Sequence, residues 1–156
     1  MQKSASKYFF FAGVATFIGG LIHLSMIIGG PSWYRLFGAP ESITQMAGTG
    51  SLYPAVVCIF IACVLFTWSF YALSGAGLIL KLPFLRTILM FIAVALIIRG
   101  VSFIPLMLIN PEIFQRITNC QSVNAFLIIT SAICLVVGLA YAVGIKKSWP
   151  RLKANS

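Results

Sequence analysis

Few side chains in this sequence have the chemistry to bind or transform anything, and the most informative is Arg99. It interrupts the apolar run from Phe84 to Ile109, with Ile88 and Asn110 each eleven residues away. An arginine near mid-membrane costs about 2.5–3.5 kcal/mol even on the lenient insertion scale, so its guanidinium has to face protein or water. At the helical repeat it shares a face with Ile88, Ile92, Ala95, Ser102 and Leu106, and the small Ala95 and Ser102 mark that face as one that packs on another helix. His23, the single histidine, stands on a stripe with Ala12, Thr16, Gly19 and Gly20, all small. Arg99 lies about 22 Å along its helix from Phe84, and His23 lies fifteen residues beyond Tyr8 on a span running the same way. The expectation is that the small-residue faces of the first and third spans meet, making His23 and Arg99 neighbours in the exterior half of a bundle.

Glu41 and Glu112 are the only acids. Glu41 is expected to fold inward and neutralise Arg99, with His23, Tyr34, Gln121 or Asn124 completing the hydrogen bonds. The expected ligand-binding set is therefore Arg99, His23, Glu41, Ser102, Tyr34 and Asn124. Three readings of it stay open: a pocket for a small anionic ligand or lipid headgroup, a purely structural pair, or an arginine snorkelling along its own stem to the interface. For His23 a hydrogen-bonded packing role stands beside a proton relay.

No catalytic, metal or cofactor constellation accompanies these residues. Cys58, Cys63, Cys120 and Cys134 contain no C-x-x-C and no ligand spacing shared with the one histidine. A Cys58–Cys120 bridge is geometrically conceivable, with inert thiols as the alternative. A proton-coupled multidrug exporter needs an acid within a span, and a b-type haem carrier needs paired histidines. Metalloprotease and phosphotransfer centres need acid and histidine groupings, and a serine hydrolase needs its elbow. An enzyme is thus not the expectation, and neither is a cofactor.

The elements that must position these residues follow from composition. The chain has 156 residues, 60% hydrophobic and 8% charged, with a mean hydropathy of +1.03. Soluble domains carry about 25% charged residues, so lipid is the solvent here. The expected fold class is an all-α membrane protein, a single domain with four transmembrane helices at 8–29, 53–74, 84–109 and 123–145. The first run is taken as a retained span because no small-x-small cleavage site interrupts it.

Charge then gives direction. Lys3, Lys7, Lys81, Arg86, Lys146, Lys147, Arg151 and Lys153 fall on one side, against Arg35 and Arg116 on the other. Bases are retained in the cytoplasm, so both termini are expected there. The formal charge of +9 would suggest nucleic acid in a soluble chain, but these bases flank apolar segments and meet lipid headgroups instead.

Both exterior connections read as short interfacial helices. Pro31 opens a turn through Trp33, Tyr34, Leu36 and Phe37 that stops at Gly38, and Pro40 with Glu41 starts a second segment towards Met46. Asn110, Pro111 and Glu112 start another, with Arg116 one turn on. The repeated Pro-Glu start fits a duplicated two-span unit or coincidence. The cytoplasmic connection breaks at Ser74, Gly75 and Gly77 and forms a tight basic turn before Lys81 and Pro83.

With those residues laid out, the chain resembles a group of bacterial four-span inner-membrane proteins of uncharacterised activity. The resemblance rests on Gly29-Gly30-Pro31-Ser32-Trp33-Tyr34, Gly38-Ala39-Pro40-Glu41, Tyr71-Ala72-Leu73-Ser74-Gly75-Ala76-Gly77, Leu82-Pro83 and Arg99-Gly100, over roughly the first two thirds of the chain. It implies a bacterial inner-membrane location and lends no activity. The functional expectation is an exterior-facing polar pocket that binds or helps to move a small anionic ligand or lipid headgroup. The alternative is an accessory or scaffold subunit docking another membrane protein or a second copy of itself.

Overall fold

The computed structural model describes residues 2–109 and 125–153. Among them the regular structure is five helices: α1 (Gln2–Leu36), α2 (Glu41–Gly48), α3 (Tyr53–Ala76), α4 (Leu85–Ile109) and α5 (Ala125–Lys153). All but α2 are long and apolar enough to cross a membrane, so the all-α, four-span architecture expected from hydropathy is the one adopted. The helix expected at Pro111 falls outside the described residues.

α1 is two helices in one. Gly30 takes φ 65° and ψ −156°, a backbone open to glycine, and Pro31 then starts a new turn with its φ already set. The Trp33 ring folds back over Gly29, where any side chain would collide with it. The chain turns at Gly38, and α2 begins at Glu41 as expected, with Thr44 buried beneath it. At the other end α3 continues through Ser74 and Gly75, beyond the expected break, and closes at Gly77 in the left-handed conformation. The Ser74 hydroxyl donates to the Leu80 carbonyl and accepts from the Leu82 N–H, which folds the turn that follows.

In lipid the inward face of a helix is marked by small side chains more than by apolar ones, since the solvent is itself apolar. Phe10, Phe11, Phe17 and Ile18 of α1 face outward, whereas Ala5, Ala12, Gly13, Thr16 and Gly20 are buried. α3 answers with Ala62, Ser69, Ala72, Gly75 and Ala76. Across this contact the Ser69 hydroxyl donates to the Gly13 carbonyl at 2.8 Å, satisfying a buried polar group that lipid would leave bare.

α1 packs along α3 and α5, while α4 packs along α5 and more lightly on α3. The long helices therefore form a ring in the order α1, α3, α4, α5, with α1 and α4 on the diagonal. This corrects the expectation that the first and third spans meet along their small-residue faces. The stripe of α1 is occupied by α3 instead, Gly13 lying against Ala72 and Leu73 and Gly20 against Phe66.

One core lies towards the end of the bundle that carries the α3–α4 turn, hereafter the base-rich end. It draws Phe9, Ala72, Leu89, Ile92, Val137 and Tyr141 from all four long helices. The fully buried Phe9 ring occupies the space left by two glycines, Gly75 of α3 and Gly144 of α5. The Tyr141 hydroxyl donates to the Trp68 carbonyl at 3.0 Å, tying α5 to α3. At the opposite end a smaller cluster of Met26, Tyr34 and Cys58 is closed over by Phe37, Ile43 and Ala47.

Candidate functional site at the α4–α5 seam

α4 and α5 approach until backbone meets backbone. A β-carbon on Gly100 would stand 2.8 Å from the Leu135 nitrogen, and one on Gly138 would stand 3.0 Å from the Ile97 nitrogen. The buried face of α4 is accordingly Leu89, Ile92, Ala93, Leu96 and Gly100. The face expected from Ala95 and Ser102 is rotated from this one, and Ser102 is exposed.

Arg99 flanks that seam and is half-buried. Fourteen residues beyond Leu85, it lies about 21 Å along α4, past the middle of a hydrocarbon layer of about 30 Å. Its Nη1 donates to the Ser131 hydroxyl of α5 at 3.4 Å, a long hydrogen bond, and Ser131 itself is 1% exposed. Cys134, nearly a turn further along α5, is within electrostatic reach of the guanidinium. The polar grouping at this depth thus includes, among the described residues, Arg99, Ser131 and Cys134.

The other expected members among the described residues are elsewhere. The His23 Nδ1 donates to the Gly19 carbonyl of its own helix at 2.8 Å. It sits on α1, diagonally across from α4. Glu41 pairs with Arg35 at 3.4 Å across the Gly38 turn, and the two side chains are 58% and 70% exposed. The acid expected to fold inward onto Arg99 is held at the rim by a nearer base. Tyr34 is 3% exposed, its hydroxyl against the buried free thiol of Cys58 rather than facing the guanidinium. Asn124, Gln121 and Cys120 lie outside the described residues.

Ser131 is the member of this grouping that sequence reasoning missed. Its signal was a hydroxyl within an otherwise apolar stretch, Ile128-Ile129-Thr130-Ser131-Ala132, on the span consecutive to that of Arg99. The two glycines fixing the seam were equally quiet, because nothing in a sequence separates a packing glycine from a neutral one.

Basic side chains gather at the base-rich end. The Arg86 guanidinium lies 3.9 Å from the centre of the Trp149 ring, and the Lys147 ammonium 4.6 Å from that of Tyr8. Four apolar spans around one core make this chain a multi-pass membrane protein. No protein-family model, curated protein or solved structure matches it.

Proposed function

We propose that the chain is a small binding protein of the bacterial inner membrane, with both termini cytoplasmic, which holds or helps to move a small anionic group. The site is Arg99 with Ser131, in the exterior half of the bundle, and the group is a soluble anion or a lipid headgroup. The observation that carries this reading is a guanidinium at membrane depth whose α5 contact is a hydroxyl at 3.4 Å. Membrane-embedded charges of this kind mark ligand and ion paths.

The test is thermal unfolding of the whole chain in neutral detergent, with inorganic phosphate as the soluble arm and phosphatidylglycerol as the lipid arm. Whichever arm carries the ligand raises the melting temperature of the parent and of Ser131→Thr by more than that of Arg99→Gln. An equal response from Arg99→Gln and the parent in both arms overturns the proposal. The accessory reading, in which the chain docks another membrane protein or a second copy of itself, then takes its place.

A further inference from the structure

The outer face of the α4–α5 seam carries a groove of about 590 Å³, bounded by Met90, Val94 and Ile97 on α4 and by Ala142, Lys146 and Trp149 on α5. Its walls are apolar until the base-rich end, where Lys146 and Trp149 close it and Arg86 lies against the Trp149 ring. From Arg86 to Ile97 is eleven residues of helix, about 16 Å. That matches one leaflet, half of a hydrocarbon core of about 30 Å.

Among the described residues, neither Arg86 nor Lys146 has an acidic side chain against it. The acid among the described residues, Glu41, is engaged by Arg35 at the opposite end. Trp149 takes one face of the Arg86 guanidinium, yet the buried Nε has no hydrogen-bond partner among the described residues. Stacking of this kind fixes the plane of an arginine and leaves its N–H edge to a phosphate. The open edge of Arg86 beside Lys146 is complementary to an anion, and the apolar trough fixes what that anion is attached to.

We infer that this groove is a binding site for one anionic glycerophospholipid of the leaflet at the base-rich end. An acyl chain lies between α4 and α5, and the phosphate sits at Arg86 and Lys146 against Trp149. The site is independent of Arg99 and lies at the other end of the same seam.

The experiment uses the full chain carrying Trp33→Phe and Trp68→Phe, so that Trp149 is the sole tryptophan, excited selectively over tyrosine. It is reconstituted in phosphatidylcholine bilayers containing a small fraction of phosphatidylglycerol whose acyl chains are brominated, with brominated phosphatidylcholine at the same fraction as the reference. The brominated anionic lipid is expected to quench Trp149 at lower mole fraction than the neutral one. Each base contributes roughly fivefold to that preference, so Lys146→Gln lowers it by roughly that factor and Arg86→Gln with Lys146→Gln removes it. Lys146 is exposed, so the single variant reports even where the double variant loses its circular-dichroism signature. Arg99→Gln leaves the preference intact, which separates this site from the one proposed above. Equal quenching by the two lipids, or a preference that survives Lys146→Gln unchanged, overturns the inference.

Discussion

Substituting Gly100 by alanine tests the α4–α5 seam, and Gly19→Ala supplies the reference. Both glycines are inside helices, where alanine is favoured by about 1 kcal/mol, so this gain is common to the two variants and cancels between them. What differs is the space. On Gly19 the new carbon meets only the far end of the Leu65 side chain at 3.4 Å, where ordinary contact begins. On Gly100 it meets the Leu135 nitrogen at 2.8 Å and its Cα at 3.0 Å, a shortfall of 0.6 Å (3.4 less 2.8) against backbone, which has no rotamer to change. The helices must separate, and overpacking of this kind costs about 1–3 kcal/mol. Gly100→Ala is therefore expected to be about 1–3 kcal/mol less stable than Gly19→Ala, measured by dodecyl sulfate titration in mixed micelles with circular dichroism as the readout. Gly138→Ala strains the same seam, so the double variant is expected to lose less than the sum of the singles, by more than about 0.5 kcal/mol. Should Gly100→Ala and Gly19→Ala agree within about 0.5 kcal/mol, the close approach of the two backbones is refuted.

Three further outcomes follow from single contacts. Tyr141→Phe removes the 3.0 Å hydrogen bond to the Trp68 carbonyl, and the same titration is expected to read a loss of about 0.6 kcal/mol, with about 1.7 kcal/mol as the ceiling. Glu41→Gln breaks an ion pair whose side chains are more than half exposed, so unfolding in low and high salt is expected to differ from the parent by less than about 0.5 kcal/mol. Phe84, at φ 51°, is a bulky residue in the left-handed region just before α4, and Phe84→Gly is expected to raise stability by about 1 kcal/mol in thermal unfolding.

The spans were legible because hydrocarbon thickness demands a run of apolar residues, and a run survives any uncertainty about its neighbours. The choice of partners was not. In water an amphipathic stripe tells a helix which way to face, but Phe17 and Phe91 are as content in lipid as Leu89 and Ile92 are in the core. The remaining signal is side-chain size, and the small stripe of α1 suits α3 as well as it would suit α4. Arg99 was found because charge in a span is conspicuous, whereas its seat was misjudged by a modest rotation of α4 that exchanged Ala95 and Ser102 for Ala93 and Gly100. Glu41 was assigned to Arg99 over a nearer candidate. Arg35 is six residues away across a tight turn, and a pair closed by a short loop at the wet rim costs less than carrying a carboxylate into the bundle.

The Phe9 ring, seated between Gly75 and Gly144, has a consequence for the order in which the chain is made. α1 enters the membrane long before α5 has been translated, and until then one wall of the Phe9 slot does not exist. Each span inserts on its own hydrophobicity, but the first is locked only by the last. A ribosome stalled before Gly144 leaves a chain with three spans embedded and the Phe9 ring open to lipid on its α5 side.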